Sequence, residues 1–464
     1  MAGIILFFIY TRLIQYFGPE VAGQFGLIAG YLTVFSFFVD LGMQQLVIKK
    51  VSENKAEASR YLSNYLGIQF FLGLGFMLIL DVIVLTSHYP QAVRNALYVT
   101  GLSLLISSLS MPFMAIINGF QRLGVIAKVH FLNSLINASM MALTIYLNKG
   151  IFFMAFVNII AAVIDFIIYW YVVEKNFTHF RFKFDFPFWK TLFALNLPFT
   201  LLTFFSIYNR IDTLLLPHLR SFTENGYYTA VYKFWDTLAY LPAVVSASLY
   251  PFFAEAIAGN RIEEARRGLE SYTRYMIALA LPITMGAFLL SHRLTVSFFG
   301  PKFEPAAQAL GLLVAAVAVL FIYSPVNALI ISQRTKTAVK ITGFNLVLNL
   351  VLNLILIRKY GFVAAAAVTL LSECVQWFGY TYFVNRDVIR FKFMPFFAKP
   401  FLASIIMGGA IYFAHNLNLW LLVGLGGTVY LAALGLLRFF QAEDRRLLFG
   451  GLRVNPEPVE RDVL

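Results

Sequence analysis

The chain has 464 residues, 60% of them hydrophobic and only 13% charged, with a mean hydropathy of +0.75. A soluble protein devotes about 25% of its residues to charge, so lipid must solvate most of the outward side chains here, and an ordinary water-soluble enzyme or binding module is excluded. The net charge of +13 would direct a soluble protein to nucleic acid; in a membrane chain it poses a question of sidedness instead, and no nucleic-acid partner is expected.

Apolar runs of about 17–25 residues can cross a hydrocarbon core about 30 Å thick. They recur at 2–17, 25–48, 62–85, 96–117, 129–147, 151–173, 191–216, 227–250, 275–297, 306–331, 341–357, 362–384, 400–417 and 419–437, which predicts about fourteen transmembrane helices. The first run follows Met1 directly, with no basic stretch and no small-residue cleavage site, so no cleavable leader is expected. Aromatic residues make up 17% of the chain, a content suited to interfacial belts and lipid-facing helix surfaces. The single cysteine, Cys374, lies in an apolar run, so no disulfide or thiolate metal cluster can form within one chain.

Lysine and arginine are distributed by side. With the N-terminus placed in the cytoplasm, 26 of the 36 basic residues fall in inward segments (49–60, 118–128, 174–190, 251–275, 332–340, 385–399 and 438–464), eight lie outward, and Arg210 and Lys233 remain inside spans. Cytoplasmic loops are the ones enriched in Lys and Arg. The chain therefore reads as a multi-pass protein of the cell (inner) membrane with both termini cytoplasmic.

Two internal repeats define the architecture. Gln121, Arg122, Lys128, Asn133 and Asn137 recur as Gln333, Arg334, Lys340, Asn345 and Asn349, at a constant offset. Arg181-Phe182-Lys183-Phe184 recurs as Arg390-Phe391-Lys392-Phe393, each followed by a proline, Pro187 or Pro395. Spans 1–6 and 7–12 are thus expected to be parallel copies related by an axis along the membrane normal, as in transporters whose site lies between two halves. The expectation is an all-α polytopic protein with two pseudo-twofold six-helix lobes (1–173 and 191–384), cytoplasmic linkers at 174–190 and 385–399, two additional helices over 400–437 and a tail over 438–464.

The stretches Thr11–Gly26 (TRLIQYFGPEVAGQFG) and Arg210–Leu216 (RIDTLLL), continuing through Gly226-Tyr227-Tyr228-Thr229-Ala230-Val231-Tyr232-Lys233 to Leu241-Pro242 and Tyr250-Pro251, resemble the polysaccharide and oligosaccharide flippases of the multidrug/oligosaccharidyl-lipid/polysaccharide exporter superfamily. Span order, repeat and loop lengths extend the likeness over the whole chain. The start departs from it: family members usually have a cytoplasmic stub and a longer first span, whereas few residues precede Arg12. The resemblance implies a two-lobed bundle around a central cavity that opens alternately to each side. It implies a cargo of oligosaccharide on a polyprenyl diphosphate carrier, with polysaccharide polymerase or glycosyltransferase machinery as partners beside the membrane lipids. In lipid II flippases of the same superfamily two extra helices shape a groove for the prenyl tail, which gives spans 13 and 14 a candidate role.

A charged side chain at mid-membrane costs about 2.5–3.5 kcal/mol on insertion scales, so each one needs a reason. Arg12 matches the family's arginine before the Gly-Pro-Glu turn; it either binds diphosphate, whose oxygens suit a guanidinium fork, or snorkels to the outer headgroups. Arg210 and Asp212, two apart, face different ways on a helix and cannot neutralise each other, whereas Lys233 and Asp236, three apart, can pair. The two readings are a cationic cavity lining by Arg210 and Lys233, or an ion-pair brace between spans seven and eight. Asp40 and Asp165, with Asp212 and Asp236, are candidate cavity or ion-coupling carboxylates, since an isolated buried carboxyl holds its proton more tightly; the alternative is a hydrogen-bonded structural role. Asn133, Asn137, Asn345 and Asn349 recur at four-residue spacing, either lining a sugar path or joining helices by hydrogen bonds. The basic–aromatic stretch 180–190 is expected to lie in the membrane interface.

No HExxH, phosphate-binding loop, nucleotide fingerprint or zinc spacing occurs. No catalytic residue, metal or cofactor is therefore assigned; coupling to the membrane potential, H+ or Na+ is the expected energy source. Rival readings are a lipid II flippase, a cation-coupled multidrug antiporter, and a non-transporting scaffold of a glycosyltransferase complex. A cation-rich set of intramembrane charges and fourteen rather than twelve spans speak against the antiporter.

Overall fold

The structure, a computed structural model, describes residues 2–180, 185–204 and 208–440; the motif Arg181–Phe184 and residues 441–464 of the expected tail lie outside them. Among the described residues there is no strand. The α-helices in order are α1 (Ala2–Phe17), α2 (Pro19–Asp40), α3 (Met43–Glu53), α4 (Ala58–Thr86), α5 (Gln91–Gly119), α6 (Leu123–Tyr146), α7 (Ile151–Asn176), α8 (Phe186–Phe204), α9 (Tyr208–Leu219), α10 (Phe222–Leu238), α11 (Tyr240–Ala258), α12 (Ile262–Phe299), α13 (Ala307–Gln333), α14 (Thr335–Asp387), α15 (Ala398–Phe413) and α16 (Leu419–Leu436).

Ten helical stretches among the described residues are long and apolar enough to cross a membrane, so the expected count of fourteen is not reproduced directly. The 53-residue α14 covers expected spans eleven and twelve in one, bent at Gly361, whose φ of 63° is left-handed. The carboxylate of Glu224, anchored by Arg220, accepts from Phe362 N–H just past that bend at 3.2 Å. Span one is the 16-residue α1, and span five is α6, interrupted by Asn133, Ser134 and Asn137. The expected span 25–48 also changes at its inner end. Helix α2 stops at Asp40, and Leu41 (φ 52°) and Gly42 (φ 78°) turn the chain into α3. Left-handed backbone is unfavourable for leucine; here the Leu41 carbonyl accepts from Asn196 Nδ2 and Thr200 Oγ1 of α8, at 2.8 and 2.7 Å.

Buried side chains gather α2–α7 around one set of cores and α9–α14 around another. Helices α15 and α16 pack on α12, where the Tyr430 hydroxyl donates to the Ala278 carbonyl at 2.6 Å. The two groups meet along α2, whose Gly23, Gly26 and Gly30 face α9 and α10. A Cβ on Gly23 would lie 1.7 Å from the Phe222 carbonyl oxygen, and one on Gly226 would lie 1.8 Å from the Pro19 carbonyl oxygen. Small residues at a membrane helix crossing let backbones approach closely.

Polar contacts join loops expected on the same side. At one end Arg60 meets Asp185 at 3.0 Å and Lys399 meets the Arg438 carbonyl at 2.9 Å. At the other, Tyr89 meets His218 at 2.6 Å, Arg220 donates to the Arg358 carbonyl at 3.3 Å, and Arg293 donates to the Leu417 carbonyl at 3.0 Å.

Candidate functional site

Helices α9 and α10 form a tight pair, with the Ser221 hydroxyl capping α10 through Glu224 N–H at 3.1 Å. This hairpin brings Arg210, Lys233 and Asp236 together. Arg210 Nη2 donates to Asp236 Oδ1 at 2.5 Å, and Lys233 Nζ donates to Asp236 Oδ2 at 3.4 Å. One carboxylate therefore serves two cations and leaves the trio with one net positive charge. Each cation also rests on an aromatic face: Arg210 lies 4.6 Å from the Tyr232 ring centre and Lys233 4.7 Å from that of Tyr10. Such contacts are worth about 0.5–2 kcal/mol, more as water is removed. All three side chains keep 26–32% of their surface exposed, so the charges are neither in bulk water nor sealed.

The two cations line a cavity of about 230 Å³ between the two helix groups, and Asp236 is not among its lining residues. Arg210, Lys233, Thr213 and Thr229 line it from α9 and α10; Tyr10, Gly26, Asn137 and Asn158 line it from α1, α2, α6 and α7. A cavity of this volume admits water and a small anionic group.

Arg12 does not join them. It is exposed on α1, where its guanidinium reaches Gln15 at 3.2 Å, and it is not among the residues lining the cavity. Two positions earlier, Tyr10 faces inward instead, because a two-residue step on a helix turns the side chain well over a quarter of a revolution. Of the three candidate cations, the cavity brings together Arg210 and Lys233 and leaves Arg12 outside.

The carboxylates divide. Asp212 is buried, 1% exposed, and accepts from the Tyr228 hydroxyl and from Thr213 N–H, facing away from Arg210 as the spacing requires. Asp40 accepts from Gly42 and Gln44 N–H, both at 3.1 Å, and from the Tyr65 hydroxyl, so it holds the turn into α3. Asp165 accepts from Asn133 Nδ2 at 2.6 Å, and Asn137 in turn donates to Asn133. That chain links Asp165 to the cavity wall.

The repeated asparagines serve different ends. Asn137 lines the cavity, but Asn345 and Asn349 are fully buried and join the two arms of α14: Asn345 donates to Gln376 at 3.2 Å and Asn349 to Ser372 at 2.9 Å. Tyr10, Asn158, Thr213, Thr229 and Tyr232 were not singled out by sequence reasoning. For the two tyrosines the available signal is that an intramembrane cation needs an aromatic face; the others carry no local signal.

This all-helical fold is shared with solved transporters of the MOP superfamily. The fold matches the lipid II flippase MurJ in its inward closed conformation, with a TM-score of 0.76 at 15% identity over 97% of each chain. It also matches the inward-facing conformation of a multidrug resistance MATE family transporter of the MOP superfamily, with a TM-score of 0.63 at 14% identity over 83% of this chain and 94% of that one. The sequence narrows this: residues 1–257 match the family described as polysaccharide biosynthesis protein, and the chain belongs to that family. Among curated relatives from Haloferax volcanii, the probable flippase AglR is 26% identical over 172 residues, 36% of this chain and 35% of that protein. The probable low-salt glycan biosynthesis flippase Agl15 is 21% identical over 207 residues, 44% of each. The matched regions thus span less than half the length of these relatives.

Proposed function

We propose that this protein is a flippase that carries a polyprenyl-diphosphate-linked oligosaccharide from the cytoplasmic to the outer leaflet, by alternating access, for cell-surface polysaccharide synthesis. The observation that carries the reading is that Arg210 and Lys233, which share the carboxylate of Asp236, both line a cavity between the two helix groups. Two partly exposed cations sharing one carboxylate can exchange it for a diphosphate, which brings more charge and more acceptor oxygens. The sugar follows once the lobes part, and the prenyl tail stays in lipid. The glycan-flippase names of the archaeal relatives support the same class of cargo.

Of the carboxylates, Asp165 is our proposed proton or Na+ site, because Asn133 and Asn137 connect it to the cavity. The fold likeness to MurJ favours a second reading, a lipid II flippase, which differs in cargo alone.

The test is reconstitution in liposomes with fluorescent lipid-linked oligosaccharide or lipid II and a leaflet-access assay. Replacing Arg210 and Lys233 together by glutamine, in protein that purifies normally, is expected to reduce flipping at least a hundredfold, two charge-assisted contacts at about 1.5–3 kcal/mol each. Unchanged flipping by the double variant rejects the site, and flipping of lipid II alone selects the second reading.

A further inference from the structure

A second opening lies far from the central cavity in sequence, where α12, the end of α14 and the segment 388–393 meet. Arg266, Glu270, Asn385, Arg390, Phe391 and Lys392 line a cavity of about 590 Å³. Burial alternates along the segment. Ile389 and Phe391 are anchored in the core, 4% and 6% exposed, and Phe391 N–H donates to Asn385 Oδ1 at 2.8 Å. Arg390 and Lys392, between and after them, are both exposed. Arg266 is already held by Glu263 and Glu270, at 2.7 and 3.3 Å. Arg390 and Lys392 have no ion-pair partner among the described residues, and the lining carries three cations against one carboxylate.

A second, shallow cavity adjoins this one through Asn385 and runs up α14 along Phe378, Thr381 and Tyr382. The spacing of these residues keeps them on one helix face. Phe378 and Tyr382 are 62% and 60% exposed on a helix apolar enough to cross a membrane, so they meet acyl chains. A cationic pocket therefore continues into a lipid-facing aromatic strip, the shape of an amphiphile with an anionic head.

We propose that this groove holds one anionic phospholipid of the surrounding bilayer, with its phosphate between Arg390 and Lys392 and an acyl chain along Phe378 and Tyr382. Charge complementarity selects an anionic head, and position selects a bilayer lipid over cargo. No lining residue is shared with the central cavity, so the two are separate openings in this structure. The proposal stands independently of the flippase reading.

The test is native mass spectrometry of the full chain in detergent, titrated with phosphatidylglycerol, phosphatidylcholine or a polyprenyl diphosphate. One phosphatidylglycerol is expected to be retained against excess phosphatidylcholine. Replacing Arg390 and Lys392 together by glutamine is expected to weaken it about thirtyfold, from the usual contribution of two basic residues near an anionic lipid. Arg267→Gln, an exposed change outside the cavity, leaves retention as in the native chain. Equal retention by the double variant, no preference over phosphatidylcholine, or displacement by polyprenyl diphosphate at lower concentration than phosphatidylglycerol overturns the proposal.

Discussion

Asp236 is the residue on which the central site turns. It accepts from Arg210 and Lys233 at once, so removing its charge leaves two like charges side by side on one wall of the cavity with nothing between them to cancel either. Breaking a fully buried pair costs about 3–5 kcal/mol. Here the groups are about a quarter to a third exposed, and Asp236→Asn is expected to cost about 1–2 kcal/mol, between that figure and the 0–1 of a surface pair. A lowered thermal unfolding midpoint in detergent, restored by added pyrophosphate, checks this; an unchanged midpoint means that the trio contributes no net stability. The charged members of the site were legible because ionisable residues stand out inside apolar runs. Tyr10 and Tyr232 were not, because tyrosine is common throughout this chain and only packing reveals which rings lie under cations. Arg12 stood out equally and lies elsewhere, since a span shows that a charge is present without showing which way it faces.

Among the elements, α2 carries the contact between lobes. Its glycines allow the first turn of α2 to lie against that of α10, and Asn225 Nδ2 closes the crossing by donating to the Gly23 carbonyl at 2.7 Å. An alanine at position 23 would put a methyl group inside the van der Waals radius of the Phe222 carbonyl oxygen, so α2 and α10 must separate. With Asn158→Cys as a reporter on the cavity wall in a Cys374→Ser background, Gly23→Ala is expected to raise labelling by an impermeant maleimide several-fold from the Arg220 side. No rise would show that this crossing does not close the cavity. Hydropathy located α4, α5, α7, α13 and α16 well, because a long apolar stretch dominates each. It missed the break at Leu41–Gly42, although Asp40, Gly42, Gln44 and Gln45 interrupt the apolar run there; a hydrogen-bonded role for Asp40 was among the readings, but not that it holds the turn into α3. Of the repeated asparagines, Asn137 lines the cavity from α6, whereas Asn345 and Asn349 join the two arms of α14.

For the molecule as a whole, the proposed cargo is an anion moving outward, and an inside-negative potential favours that by about 2.3 kcal/mol per charge per 100 mV. Flipping in liposomes is expected to speed up under an inside-negative potential and to slow when the sign is reversed; indifference to potential would require a compensating ion, for which Asp165 is the first candidate. The shared carboxylate bears on the other half of such a cycle. In the proposed cycle the vacant site is the one the structure shows, with Asp236 held by both basic groups, so an empty carrier would return with its binding charges largely cancelled and a single positive charge left over. An inside-negative potential would draw that residual charge inward, so on this proposal the same voltage that drives cargo out also resets the vacant protein.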